Sequence, residues 1–184
     1  MHTCGYINPE PLKELLKYMD AVNVDLKGFN PEFYKKMGSM AELGPVLDTL
    51  KTIKKSGVWL EITNLIIPDQ NDDPEEIRSM CQWIKYNLGD DVPIHFSRFM
   101  PSFRLQNLPP TPTQKLDEAH AIAKKVGLKY VYIGNIPGNQ HENTYCPKCG
   151  KLIIKRLGYE VSTDGMKDGK CKDCDYAVEG VWDR

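Results

Sequence analysis

The chain contains 184 residues, of which 41% are hydrophobic and 27% are charged, and its net charge at pH 7 is −1. This composition is typical of a folded globular protein, and the near-zero charge excludes a general attraction to nucleic acid or to an anionic membrane surface. No apolar run approaches the ~18 residues of a membrane span and no signal peptide is evident, so we predict a cytoplasmic protein with no membrane contact.

Helical and strand patterns alternate along residues 8–134. In chain order they predict a helix over 8–19, a strand over 21–26, a helix that follows Gly44-Pro45 and ends at Gly57, a strand over 58–67, a helix that starts after Asp73, a strand over 93–99, a helix between Thr113 and Gly127, and a strand over 130–134. Asn8, Asp73 and Thr113 are expected to cap their helices, and Glu76 to complete a capping box. This alternation indicates an α/β fold of parallel β/α units with right-handed crossovers.

The pattern opens on a helix, and residues 3–7 before it resemble the end of a strand. A crossover helix needs parallel strands on both sides to cover its apolar stripe. We therefore predict that residues 1–140 are the C-terminal half of a larger β/α sheet or barrel. The alternative is a small, four-stranded open sheet that begins with a helix.

Four of the six cysteines form two CxxC pairs near the end of the chain, Cys146 with Cys149 and Cys171 with Cys174. In a reducing compartment, two such pairs in one short stretch favour a tetrahedral zinc site over a disulfide or a redox pair. We predict a zinc ribbon over residues 141–184, with iron left open as the bound metal. Cys81 lies on an apolar helix face and is expected to be buried, whereas the pattern assigns no role to Cys4.

Polar side chains follow one face of three predicted strands. Residues two apart on a strand share a face, which places Asp25 with Lys27 on the first strand, Glu61 with Thr63 on the second, and His95 on the third. Because ligands bind at the carboxyl ends of parallel strands, we group Asp25, Lys27 and His95 in one pocket. The alternatives are a structural Asp25–Lys27 ion pair and a buried histidine hydrogen-bonded to backbone.

Several segments of the chain resemble a known family. They are Asn23-Val-Asp-Leu-Lys27, Ile66-Ile-Pro68 followed by Asn71-Asp72, His95-Phe-Ser-Arg-Phe99, and Gly134-Asn-Ile-Pro-Gly138 followed by Glu142-Asn-Thr-Tyr-Cys-Pro-Lys-Cys-Gly150. On these motifs the chain resembles the radical SAM proteins of the AmmeMemoRadiSam system, which are relatives of the pyruvate formate-lyase activating enzymes. The last segment, which joins a strand exit to the first CxxC pair, is the most specific.

The resemblance implies a partial or complete β/α barrel that binds S-adenosylmethionine (SAM) beside a 4Fe-4S cluster. In such proteins a 5′-deoxyadenosyl radical abstracts hydrogen from a substrate. The resemblance also implies cofactor contacts for Asp25, Lys27 and His95, and an ammonium such as that of Lys27 can hold the methionine carboxylate. Two positions depart from the family: Thr63 stands where related activating enzymes often have arginine, and Asp69 replaces a glycine.

The cluster motif of the family, three cysteines spaced CxxxCxxC, does not occur in these 184 residues. We therefore expect a fragment that cannot assemble the cluster alone, its partner being the missing N-terminal half of the barrel or a separately encoded one. The alternatives are a zinc-ribbon binding or scaffold module, or a subunit of a split enzyme. Residues 146–184 carry nearly equal numbers of basic and acidic side chains, so we expect no nucleic-acid partner. The substrate of the radical chemistry, protein or small molecule, does not follow from the residues.

Overall fold

Five parallel strands form the main sheet of the computed structural model, which describes residues 1–37 and 42–182. The strands lie side by side in sequence order: β1 (His2–Thr3), β2 (Ala21–Asp25), β3 (Trp59–Ile66), β4 (Ile94–Arg98) and β5 (Val131–Gly134). The helices between them are α1 (Pro9–Leu16), α2 (Pro31–Met37), α3 (Leu43–Ser56), α4 (Pro74–Asn87) and α5 (Thr113–Val126). Right-handed crossovers between neighbouring strands in this order place the connecting helices on one face of the sheet. None of the helices in these ranges has the length and apolar character to cross a bilayer.

The helix-covered face of the sheet forms the main hydrophobic core. Alternate strand residues are buried there against helical side chains, among them Val22, Val24, Leu60, Ile62, Ile94 and Phe96 from the strands and Leu50, Ile84 and Leu116 from the helices. Cys81 belongs to this core, as predicted, and burial raises the pKa of its thiol to about 12. Strand residues between the buried positions point to the opposite face, which therefore remains polar.

Residues 2–3 form the strand end that the sequence predicted ahead of the first helix. β1 pairs in parallel with β2, with His2 opposite Asn23. The alternative of a four-stranded sheet that begins with a helix is therefore wrong. Helix α2 was not predicted, because its seven residues make about two turns and repeat no apolar period.

The predicted start of α4 is confirmed only in part. The Asp73 side chain accepts hydrogen bonds from the backbone N–H groups of Glu75 and Glu76, as an N-cap should. The Glu76 side chain does not complete the capping box. Its Oε1 instead accepts a hydrogen bond from the backbone N–H of Phe29 at 2.8 Å, which ties the start of α4 to the loop after β2.

The other two predicted caps are wrong. The Asn8 side chain accepts no capping hydrogen bond at the start of α1, where Pro11 lacks the N–H that a third helical residue usually offers. Thr113 is the first residue of α5, preceded by Pro112 as the capping residue. The Thr113 hydroxyl donates to Gln114 Oε1 at 3.4 Å and has no backbone partner within residues 1–37 and 42–182.

A small β-layer follows the main sheet and has a core of its own. Its strands are β6 (Thr144–Tyr145), β7 (Leu152–Leu157), β8 (Glu160–Ser162), β9 (Met166–Lys167) and β10 (Lys170–Cys171). β6, β7 and β8 pair antiparallel in that order, and β9 pairs with β10. Ile153, Ile154 and Val178 are buried together with Tyr130, which joins this core to the main sheet. We call residues 141–182 the ribbon.

Candidate functional site

The face of the main sheet opposite the helices carries a row of polar side chains. Strand pairing aligns Asp25 with Thr63, Thr63 with His95, and His95 with Tyr132. Residues aligned across adjacent parallel strands point to the same face, so the row crosses the sheet from β2 to β5. We call this row, with Asn23, Lys27 and Glu61 beside it, the polar face.

Asp25 and Lys27 form an ion pair at the exit of β2. The Lys27 Nζ lies 2.5 Å from Asp25 Oδ2, and the second carboxylate oxygen contacts His2 Nε2 at 2.8 Å. Burial alone would raise the pKa of the Asp25 carboxyl, but hydrogen bonds with His2 and Lys27 hold it below its usual value. The Lys27 side chain remains 46% exposed, so its ammonium is accessible to a ligand. Sequence reasoning did not find His2, which reaches Asp25 only because β1 pairs with β2.

His95 is held by a carboxylate and an aromatic ring. Its Nε2 lies 2.7 Å from Glu61 Oε2, and its ring stacks on Tyr132 with centroids 4.8 Å apart. Glu61 Oε1 accepts a second hydrogen bond from Trp59 Nε1. Burial tends to raise the pKa of Glu61, but its bonds to His95 and Trp59 and the nearby Arg156 charge lower it overall. The alternative of a histidine bonded to backbone is therefore wrong.

The structure thus places Asp25, Lys27 and His95 on one face but in two separate pairs. Neighbouring strands lie about 4.8 Å apart, so the backbones at Asp25 and His95, two strands apart, are separated by about 10 Å. Thr63 lies between them and donates a hydrogen bond to Asn23 Oδ1 at 3.0 Å. A small molecule lying across β3 could contact both pairs at once.

The ribbon lies over the β5 side of the polar face. Arg156 places its guanidinium 5.5 Å from the Tyr132 ring centroid, and its Nη1 donates to Thr144 Oγ1 at 2.8 Å. The Tyr132 hydroxyl shares a hydrogen bond with the same Thr144 Oγ1 at 2.9 Å. Just before β5, Lys129 and Tyr130 both donate hydrogen bonds to Glu179. These contacts fix the ribbon against the sheet and leave a cleft beside His95.

The four ribbon cysteines meet at one point. Sγ atoms of Cys146 and Cys174 are 3.6 Å apart, those of Cys149 and Cys171 are 3.7 Å apart, and all four lie within 4.8 Å of one another. A single ion bound tetrahedrally at about 2.3 Å from each sulfur separates the sulfurs by about 3.8 Å. The four thiols therefore form a group sized for one tetrahedral metal ion, a geometry that suits zinc and a single iron alike.

Both CxxC pairs are closed by the same backbone turn. The N–H of Gly150 donates to the Cys146 carbonyl oxygen and the N–H of Asp175 to that of Cys171, each at 2.9 Å. The closing residues have left-handed φ angles, 72° at Gly150 and 55° at Asp175. Glycine adopts this conformation freely and Asp is among the few other residues that tolerate it. Two equivalent turns therefore present two sulfurs each.

Backbone N–H groups favour the thiolate at Cys146. Burial would raise the pKa of this thiol, but hydrogen bonds from the backbone of Cys149 and Lys148 outweigh it and lower the pKa to about 7. Since the thiolate is the form that binds a metal, the turn prepares Cys146 as a ligand.

The remaining cysteines do not form a second metal site. Cys4 is exposed after β1, and Cys81 lies on the buried face of α4. Among residues 1–37 and 42–182, only the ribbon cysteines bring three or more potential ligands together. A 4Fe-4S cluster binds each cysteine through a different iron, so its cysteine sulfurs stand farther apart than sulfurs that share one ion. The described residues fit a single metal ion and do not fit a 4Fe-4S cluster.

Residues 1–81 match the family model of the Radical SAM superfamily. Over this segment the chain resembles the radical SAM superfamily. The matched segment runs from β1 into α4 and contains Asp25, Lys27 and Glu61, whereas His95 and the ribbon lie beyond it.

Two curated proteins extend the likeness over most of the chain. An uncharacterised protein of Methanocaldococcus jannaschii is 45% identical over 183 residues, which cover 98% of this chain and 54% of that protein. The GTP 3',8-cyclase of Limosilactobacillus fermentum is 26% identical over 164 residues, 77% of this chain and 47% of that enzyme. The chain thus spans about half the length of the curated relatives it matches.

Solved structures show the same fold at low sequence identity. A domain of the pyruvate formate-lyase activating enzyme from Bacteroides vulgatus superimposes with a TM-score of 0.63 at 13% identity, covering 72% of this chain and 79% of that one. A radical SAM methyltransferase from Sphaerobacter thermophilus gives a TM-score of 0.59 at 11% identity, covering 82% of this chain and 43% of that one. The predicted α/β fold is confirmed, and these solved radical SAM proteins share it. Membership of the AmmeMemoRadiSam system stays a prediction.

Proposed function

We propose that this chain is part of a radical SAM enzyme of the activating-enzyme type and that its polar face binds SAM. The observation that carries the proposal is the alignment of two polar pairs, Lys27 with Asp25 and His95 with Glu61, across the open face of a radical SAM sheet. Both pairs lie on the face that the helices leave free. Asp25 ends β2, whereas Glu61 and His95 lie in the first halves of β3 and β4, so only the Asp25–Lys27 pair is at the carboxyl end where parallel sheets bind ligands.

The charges of the polar face suit the groups that SAM presents. The half-exposed Lys27 ammonium offers donors to the methionine carboxylate, and the ionised Asp25 holds that ammonium in place. Stacking on Tyr132 and the bond to Glu61 hold the His95 ring in place, and we propose that this ring contacts the nucleoside part of the cofactor. When bound, SAM supplies hydrogen-abstraction chemistry, and the contribution of this chain is to bind and orient it.

We propose that the cluster ligands lie outside these residues, on an N-terminal half of the barrel or on a separately encoded partner. The pairing of β1 supports this part of the proposal. Among the described residues β1 pairs only with β2, so the backbone groups of its other edge have no strand partner. Such an edge is a template for a further strand, and a parallel strand added there would continue the sheet toward a closed barrel.

In the ribbon we propose zinc. Four cysteine ligands with no open position are typical of a structural zinc site, and Cys146 and Cys171 are almost fully buried. Such an ion stabilises a module whose own apolar core is small. Six cysteines without a disulfide also favour a reducing compartment, which supports a cytoplasmic location.

A titration with SAM tests the proposed cofactor face. The ¹⁵N-labelled chain should show saturable amide shifts at residues 25–27 and at His95. Lys27→Gln should weaken binding by about tenfold, the effect of removing one charge-assisted contact. Lys17→Gln is the matched control, since Lys17 is also an exposed lysine in an ion pair, with Glu14. Equal affinity of Lys27→Gln and the unaltered chain, or shifts confined to other surfaces, would contradict the proposal.

A further inference from the structure

A cavity of ≈ 340 Å³ lies between the polar face and the ribbon. Its lining comes from both parts of the chain: Glu61, His95, Tyr132 and Gly134 from the sheet, and Glu142, Arg156 and Gly158 from the ribbon. Its volume lies at the lower end of the range of small-molecule pockets, roughly 300–1,000 Å³. At Gly158 an added Cβ would meet no atom within 4 Å, so open space adjoins this lining position.

The sheet side of this cavity has its charges already paired. Glu61 accepts from Trp59 with one oxygen and contacts His95 with the other. The His95 ring lies flat on Tyr132. A ligand would therefore meet an aromatic surface there, beside a carboxylate whose two oxygens are both engaged.

The ribbon side carries a carboxylate without a partner. The Glu142 side chain makes no hydrogen bond or ion pair within residues 1–37 and 42–182, and its Oε2 is a buried atom with no donor in reach. A buried carboxylate oxygen without a donor is costly, and rotation of the side chain toward a donor in the cavity would remove that cost. A ligand with an ammonium group supplies such a donor.

Arg156 provides the opposite charge beside Glu142. Its Nη1 donates to the Glu142 carbonyl oxygen at 2.9 Å and to Thr144 Oγ1 at 2.8 Å, which uses both protons of that nitrogen. These bonds hold the guanidinium against the Tyr132 ring. The N–H groups on its other nitrogens remain available to a ligand. A guanidinium fixed in this way suits a carboxylate.

We propose that this cavity binds the amino acid group of a free α-amino acid. The ammonium pairs with Glu142, the carboxylate pairs with Arg156, and the side chain lies along Tyr132. Neighbouring charges of opposite sign on one wall match the zwitterion better than either a simple amine or a simple carboxylate. The cavity shares His95 with the proposed SAM-binding face, but the two charged contacts of this proposal, Glu142 and Arg156, are ribbon residues outside it, so variants of Glu142 test the amino acid site separately from SAM binding.

A titration with L-leucine and two analogues tests this site on the metal-loaded chain. L-leucine should give saturable amide shifts at Tyr132, Glu142 and Arg156. The analogues 4-methylpentanoate, which lacks the ammonium, and 3-methylbutylamine, which lacks the carboxylate, should each bind about tenfold more weakly. An analogue that binds as tightly as L-leucine would overturn the proposal, as would the absence of saturable shifts.

Two variants locate the ammonium contact. Glu142→Gln should weaken L-leucine binding by about tenfold. Glu160→Gln, at an exposed carboxylate of the same ribbon, should bind like the unaltered chain. Metal content and the amide spectrum of the ribbon report whether each variant is folded. A folded Glu142→Gln chain with unchanged affinity would refute the assignment. If that variant does not fold, the ranking of the three probes on the unaltered chain decides.

Discussion

Glu61→Gln tests how the polar face is held together. Hydrogen bonds to charged groups contribute about 1.5–3 kcal/mol each. Glutamine keeps an acceptor for Trp59 but replaces the charged acceptor of His95 with an amide. Because the Glu61 side chain is 34% exposed, water compensates for part of the loss. We therefore expect the free energy of unfolding at pH 7 to fall by about 1–2 kcal/mol, which lowers Tm by about 2–8 °C for a chain of this size.

The loss should depend on pH in a defined direction. The pKa of Glu61 in the folded chain lies below the ordinary value of 4.5. A carboxyl with a lowered pKa stabilises the folded state fully above its unfolded pKa, and this contribution disappears as the pH falls through the folded pKa. The difference between Glu61→Gln and the unaltered chain should therefore shrink as the pH falls below about 4.5.

Urea denaturation at a series of pH values measures this difference. Glu118→Gln is the control, since Glu118 is exposed on α5 and makes no ion pair or hydrogen bond among the described residues. Its free energy of unfolding should match that of the unaltered chain. A Glu61→Gln loss that is the same at pH 3.5 and pH 7, or no loss at all, would refute the account of the Glu61–His95 pair.

Three further substitutions test the fold and the metal site. Cys149→Ser should lose the bound metal, which elemental analysis measures. Its ribbon should unfold while the amide signals of the main sheet persist. Retention of one metal ion per chain would contradict the four-cysteine site. Phe96→Ala should lower the free energy of unfolding by about 3–5 kcal/mol, because Phe96 is fully buried on the helix-covered face. Asp73→Ala should cost about 0.5–2 kcal/mol by removing the cap of α4, and an unchanged urea midpoint would exclude that role.

Local patterns were sufficient to predict most of the main sheet. Apolar residues recur every three or four positions in α3, α4 and α5 and at alternate positions in β3. The structure forms helices and a strand where these patterns predict them. The CxxC pairs are equally local, because each turn is closed within five residues of its first cysteine. The short β7–β8 hairpin was not predicted, since its exposed apolar residues, such as Leu157 and Val161, do not mark a buried face.

Contacts between distant parts of the chain could not be read from those patterns. His2 reaches Asp25 through the pairing of β1 with β2, and Arg156 reaches Tyr132 only because the ribbon packs over the sheet. Glu61 was placed on the correct face by alternation, but its bond to His95 depends on the relative register of β3 and β4. Such contacts are set by tertiary packing, and no local period encodes them.

Anaerobic reconstitution with iron and sulfide, followed by metal analysis and EPR spectroscopy with and without SAM, tests the central claim most directly. The claim is that this chain supplies a SAM-binding face and one metal ion held by the ribbon cysteines, while the cluster ligands lie elsewhere. The account predicts one zinc ion per chain and no reducible EPR signal that responds to SAM. A stoichiometric, SAM-responsive iron–sulfur signal from these 184 residues alone would contradict it.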